Sequence, residues 1–275
     1  MIYSGHLNPR TRQNYRLVMK LVAVFLSLLF LGVNQALFAA EATQHTSRKD
    51  TKDHLLLKNN LKQAKSGDYL VTEHGKNYTI LAIKGLDKEG LKIEEISVPA
   101  VSIKGQRSNG SSPFSWKSWL NSGAKGNTCR ILYHIDLEEG VIKQAFSFSK
   151  NEWISMPQSQ NFFSTLLNLQ LSMVKDEERR KIGPPPTDGT PDRRKVWQPP
   201  LIIDGKAVAN VSFDVLRTRW PADGGELSGK IIEVYLPKES AKYPSYFPYW
   251  LQVMGVIGKA NLRIVDSGNL EKMKL

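Results

Sequence analysis

The spacing of apolar residues changes period several times along the chain. Leu21–Val33 (LVAVFLSLLFLGV) is apolar without a break for 13 residues. Over Thr51–Lys65 the spacing is helical, with Leu57, Leu61 and Ala64 on one side, lysines on the other, and Gly67 able to supply the left-handed C-terminal position. From Asp68 the period falls to two, the spacing of a strand with one apolar face. Asp68–His74 and Tyr78–Lys84 form a hairpin around Gly75-Lys76-Asn77, and Leu91–Val98 follows a turn at Asp87–Gly90. Residues 104–128 are rich in Ser, Gly and Asn and read as a loop, interrupted by one helical turn at Trp116–Leu120. Arg130–Leu137 and Val141–Phe148 make a second hairpin across Glu138-Glu139-Gly140. A second helix is expected over Phe162–Val174, whose broad apolar side (Phe163, Leu166, Leu167, Leu171, Val174) suits burial against a sheet.

Strands return at Asn210–Thr218, Gly229–Leu236, Pro248–Met254 and Lys259–Val265, the last with Ala260, Leu262 and Ile264 inward. Clean alternation predicts antiparallel pairing with one wet face. The expected class is β-dominated α+β: a curved, half-barrel-like antiparallel sheet with two or three helices packed on it.

The N-terminus adds a targeting signal to this picture. Arg10, Arg12, Arg16 and Lys20 precede the apolar run, no acidic residue occurs before Glu41, and small residues follow at Ala36, Ala39, Ala40 and Ala42. This order predicts a secretory signal peptide over residues 1–42, with an uncleaved N-terminal anchor as the rival. Leu21–Ala40 would span a bilayer core in length, but Gly32, Asn34 and Gln35 interrupt it. Residues 43–66 are then a tether and helix, and 67–275 a single β-rich domain. The expected location is periplasmic or outer-membrane-associated.

The formal charge is +12, and residues 1–42 carry +3 of it, so +9 remains after cleavage. In an exported protein such a balance suits anionic membrane surfaces rather than nucleic acid, or simple solubility. Cys129 is the only cysteine, so the domain is held by packing without an internal disulfide.

Composition shifts most sharply at 175–200. Six prolines lie between Arg179 and Pro200, Pro184-Pro185-Pro186 favours polyproline geometry, and the basic triplets Arg179-Arg180-Lys181 and Arg193-Arg194-Lys195 flank the run. These six basic residues are the candidate partner-binding set.

Catalytic chemistry is sparse. No HExxH, paired-cysteine or GxSxG spacing occurs, so neither a metal nor a cofactor is expected. Asp266-Ser267-Gly268 matches the D-[ST]-G of aspartic proteases but has no second copy, and it equally suits an ordinary strand-ending turn. Ser147-Phe-Ser-Lys150 ends a strand rather than opening a helix, and Thr128-Cys129-Arg130 lacks an activating histidine, so neither reads as a nucleophile. Glu94-Glu95, Glu138-Glu139 and Asp176-Glu177-Glu178 read as solvated charges at turns and edges. Tyr243, Tyr246, Phe247, Tyr249 and Trp250 read as core at a sheet end, or as the rim of an apolar site.

Gly-Asp-Tyr-Leu-Val at 67–71, the proline-rich run Ile182–Leu201, and the segments 247–253 and 262–268 resemble uncharacterised exported proteins of chlamydia-type bacteria. That resemblance implies no activity. The order of the closing strands is also similar to LolA-like lipoprotein carriers, which implies an apolar concavity for acyl chains.

Two non-catalytic functions follow as expectations. One is an envelope carrier of an apolar ligand such as a lipid or lipoprotein acyl chain, bound by Phe163, Leu166, Leu167, Trp250 and Leu262. The other is an envelope assembly adaptor working through the 175–200 loop. A secreted hydrolase around Asp266 is a distant third, and the oligomeric state is left open.

Overall fold

A computed structural model describes residues 54–103, 114–154, 162–187, 189–225, 227–238, 243–244, 246–254 and 260–270. The expected export signal and tether lie outside the described residues.

Twelve strands form one sheet. In chain order they are β1 (His54–Leu55), β2 (Asp68–His74), β3 (Asn77–Asp87), β4 (Gly90–Pro99), β5 (Cys129–Asp136), β6 (Val141–Ser147), β7 (Glu152–Ile154) and β8 (Leu171–Met173), then β11 (Phe213–Arg219), β12 (Ile231–Pro237), β13 (Trp250–Met254) and β14 (Ala260–Asn269). A separate hairpin pairs β9 (Leu201–Ile203) with β10 (Lys206–Val208). The sheet order is β1-β8-β11-β12-β13-β14-β2-β3-β4-β5-β6-β7, with every pairing antiparallel. With β1 and β7 at its two ends the sheet is open, as the β-dominated, curved-sheet reading expected. Three short α-helices accompany it: α1 (Leu57–Leu61), α2 (Trp116–Asn121) and α3 (Phe162–Asn168). A further helical stretch opens at residues 100–103.

The period-two pattern feeds two cores rather than one. Leu70, Ile83, Leu91, Ile93, Ile232 and Val234 belong to a large core that includes Leu57 and Leu61 of α1 and Leu166 and Leu167 of α3. The alternate positions Tyr69, Val71, Ile80, Ala82, Ile96 and Val98 join a second core closed by Trp116, Trp119 and Leu120 of α2. The middle strands β2–β4 are therefore covered on both sides, not wet on one. Each Leu or Ile fully buried in this way contributes about 1.5–3 kcal/mol. At α2, Ser115 caps the helix by accepting the Ser118 N–H at 3.2 Å, and Trp119 Nε1 donates to Lys125 O at 3.0 Å.

Both expected long helices are shorter than their apolar spacing suggested. Of the expected helix Thr51–Lys65, residues 51–53 lie outside the described residues, and among the rest Leu57–Leu61 is helical while His54–Leu55 pairs with Ser172–Leu171 of β8. Over Phe162–Val174 the helix stops at Asn168, whose side-chain amide donates to the carbonyls of Ser164, Glu139 and Gly140, each at 3.0 Å. Leu171–Met173 then turns into strand. Tertiary pairing has overridden local periodicity at both places.

Glu94 and Glu95 depart from the expectation of solvated edge charges. Both are buried in the middle of β4. Glu94 pairs with Arg130 at 2.5 Å and Lys84 at 3.3 Å, while Glu95 on the other face accepts from Tyr133 at 3.1 Å and Ser97 at 3.3 Å. Burial pushes the Glu95 carboxyl above its ordinary value, only partly opposed by those two hydrogen bonds.

Candidate functional site

The proline-rich segment is ordered by a small two-sided stem. Lys181 and Val196 form an antiparallel bridge, Trp197 N–H donates to Arg180 O at 2.7 Å, and Ile182 N–H donates to Lys195 O at 2.9 Å. The two basic triplets are thus the opposing sides of one stem, which explains their symmetric spacing in the sequence.

Below the stem, Arg180 lies over the Trp197 ring at 4.4 Å. Trp197 meets Tyr235 of β12 and Trp250 of β13 edge-on, at 5.3 and 5.1 Å. Such edge-to-face pairs contribute about 0.5–1.5 kcal/mol each beyond their buried area. Trp250 Nε1 is buried here without a hydrogen-bond partner among the described residues. Arg179 donates to Val174 O and Phe213 O, at 3.3 and 3.4 Å, and so ties the first triplet to the ends of β8 and β11. Arg217 pairs with Glu233 and Glu178, both at 3.0 Å, and Tyr235 donates to Glu233 at 2.8 Å. Burial, then the Glu233 carboxylate, pushes the Tyr235 hydroxyl well up.

Above the stem, Asp192 accepts from Arg194 Nε and Lys181 Nζ, each at 2.9 Å, and Arg194 also reaches Gly183 O at 2.9 Å. Arg194, then Lys181, holds the Asp192 carboxyl well below the usual range. Arg179, Arg180, Lys181 and Arg194 thus make contacts within the fold. Arg180, Arg193, Lys195, Ile182 and Pro184–Pro186 are exposed, Ile182 at 57%. The six basic residues of the candidate set therefore differ in their surroundings.

The expected apolar ligand set falls together in the fold. Leu166 and Leu167 are 4% and 1% exposed and lie in the large core. Phe163 stacks on Phe247 at 5.6 Å, Phe162 on Trp220 at 5.2 Å, and Leu262 packs against the same core opposite Leu251. Trp250 packs against that core as well, on the side that meets Trp197. All five residues thus belong to one packed core. Tyr246, Phe247 and Tyr249 are buried, so the aromatic run is largely core at a sheet end.

Asp266 is gathered into a polar cluster. Tyr69 Oη lies 3.1 Å from Asp204 Oδ1 and 3.3 Å from Asp266 Oδ2. Gly205 N–H donates to Asp266 Oδ1 at 2.9 Å, and Lys117 pairs with Asp204 at 3.3 Å. Asp204 and Gly205 form the β9–β10 turn with φ of 48° and 76°, a conformation that favours Asp-Gly in two-residue hairpin loops. Asp204 N–H donates to Ser267 O at 2.8 Å, and Ser267 Oγ donates to Ile202 O at 2.8 Å. A Cβ at Gly268 would collide with Asp204 Oδ1 and the Tyr69 ring, so glycine is required for this close approach. Asp266-Ser267-Gly268 is therefore not the expected strand-ending turn but part of β14, paired with β2 and bonded to the hairpin. Asp204 was missed from sequence, although Ile-Ile-Asp-Gly at 202–205 and Ile-Val-Asp-Ser-Gly at 264–268 are detectably alike.

Cys129 opens β5 half-buried, and burial, then Glu95, raises its thiol, so it is not an activated nucleophile. Among the described residues no cluster of three or more metal-ligating side chains occurs, and no helix is long and apolar enough to cross a membrane.

The family model described as CT021 protein matches residues 79–209, which run from β3 through the proline-rich segment to the end of the β9–β10 hairpin. The chain is also similar in fold to the hypothetical protein CT021 from Chlamydia trachomatis. That match has a TM-score of 0.58 and 16% identity, and it covers 80% of this chain and 96% of the other. The resemblance to uncharacterised chlamydial proteins is therefore shown. No curated protein matches the chain, and the similarity to LolA-like carriers is supported by neither the family model nor this structural match.

Proposed function

We propose that the protein is a non-catalytic, exported envelope adaptor that docks on a protein partner through residues 182–195. One observation carries the reading. The two flanks of the proline-rich segment are joined by the stem and by the Arg180–Trp197–Trp250 stack, and Ile182, Pro184–Pro186, Arg193 and Lys195 are exposed. A proline run is stiff before it binds and so loses little entropy on binding, and aromatic-lined grooves recognise such runs. Exposed arginine and lysine beside it favour an acidic rim on the partner.

The test is site-specific photo-crosslinking in the native host from position 182, with position 101 as control, since Val101 is 72% exposed in another part of the fold. A discrete adduct from 182 alone, lost in Arg193→Glu/Lys195→Glu, supports the adaptor. Indistinguishable patterns from the two positions would rule it out.

The apolar-carrier reading is second. It draws on Phe163 of α3, which stacks on Phe247 at the border of the core, and requires α3 to move aside for an acyl chain. Native mass spectrometry of detergent-free protein discriminates the two, because a carrier retains a lipid-sized excess mass that is released on denaturation.

A further inference from the structure

We propose that Asp266, Tyr69 and Asp204 form a proton-dependent clamp that fixes the β9–β10 hairpin to β14, with the clamping proton carried by Asp266. The argument begins with counting hydrogens. Tyr69 Oη is within hydrogen-bonding distance of both Asp204 Oδ1 and Asp266 Oδ2, but a phenol has one hydrogen to donate. With both carboxylates ionised, that one hydrogen has to serve two anionic oxygens at once. A second proton resolves it.

The surroundings of the two carboxylates place it on Asp266. The Asp204 side chain is 41% exposed and paired with Lys117 of α2. Asp266 is 2% exposed and has no cationic partner among the described residues. The arrangement is then Asp266 Oδ2–H donating to Tyr69 Oη, and Tyr69 Oη–H donating to Asp204 Oδ1.

Every element packed around Asp266 enters this balance. Tyr69 comes from β2, Asp204 and the Gly205 N–H from the hairpin turn, and Tyr249, just before β13, reaches the cluster through its bond to Ser267 at 2.8 Å. Burial raises the Asp266 carboxyl above its ordinary value and Asp204 adds to it, outweighing the Gly205 and Ser267 N–H groups and the Tyr69 hydroxyl, which favour the ionised form. A carboxyl raised in the folded state stabilises most below its ordinary value of 3.8, and that stability is lost as pH rises through the raised one. The clamp is closed in acid and loosens toward higher pH.

The hairpin begins at Leu201, immediately after the proline-rich segment, so the clamp also sets where that segment leaves the sheet. That consequence rests on the adaptor reading, whereas the clamp itself is measured without any partner.

The experiment is hydrogen–deuterium exchange of residues 201–208 in the full chain from about pH 4 to about pH 8, corrected for the intrinsic exchange rate. Asp266→Asn places a permanent donor toward Tyr69 while its carbonyl still accepts from Gly205. Wild-type protection is expected to fall at least about tenfold across the range while Asp266→Asn stays level. Asp204→Asn frees the phenol to serve Asp266 alone, and should flatten the wild-type dependence as well. Infrared difference spectra supply a readout independent of variant stability: a protonated-carboxyl stretch present in wild type and missing in Asp266→Asn. Identical exchange profiles in wild type and both variants, or no acid band assignable to Asp266, would overturn the clamp.

Discussion

Trp197 shows how one side chain can hold a surface feature in place. It touches Arg180, Tyr235 and Trp250 together, so Trp197→Ala removes the floor of the proline-rich stem. We expect a loss of about 3 kcal/mol in urea unfolding and new proteolytic cleavage between residues 182 and 195. Glu95 gives a second prediction at this scale. Its carboxyl is raised by burial from 4.5, so its contribution is present below that value and is lost as pH rises through the folded one. Glu95→Gln keeps an acceptor for Tyr133, and its melting temperature should depend less on pH between about pH 4 and about pH 8 than that of wild type. Neither role is legible in the sequence. Glu94 and Glu95 look like any surface pair until both sides of β4 are known to be covered, and Trp197 has no periodic neighbours to mark it.

At the level of elements, the hairpins were the most legible parts. Gly75-Lys76-Asn77 and Glu138-Glu139-Gly140 carry their own turn chemistry, and the alternation on each side fixes the register, so β2–β3 and β5–β6 stand where period two put them. The helices were less so, because residues such as Leu171 suit either period and only the partner strand decides. The same lesson applies to the apolar set. Leu166 and Leu167 are buried in the large core, and one broad apolar face suits a core helix and a ligand-covering helix alike. Leu167→Ala is therefore expected to cost about 3 kcal/mol in chemical denaturation, as a core truncation does. The loop divides similarly. Replacing residues 183–194 with a short turn that closes Ile182 onto Lys195 should leave the melting temperature within a few degrees of wild type. A deletion that starts at Arg179 also removes the Val174 and Phe213 contacts and the Trp197 stack, and should lower it clearly.

For the molecule as a whole, the sequence carries the class of fold but not the order of strands. Local spacing contains nothing to say that β14 sits beside β2, nor that α2 and the β9–β10 hairpin cover what would otherwise be a wet face. That neighbourhood has a consequence for synthesis. Arg263 pairs with Glu73 across 190 residues, and the edge of β2 that β14 occupies stays vacant until the ribosome has produced the 260s. The N-terminal strands can pair locally as β2 through β7, but the central seam of the sheet must wait. A nascent chain halted before Ala260 would present two unfinished edges, β2 and β13, each a template for other strands. The seam thus makes folding late by construction, and until it closes the chain is a client for whatever holds strands apart.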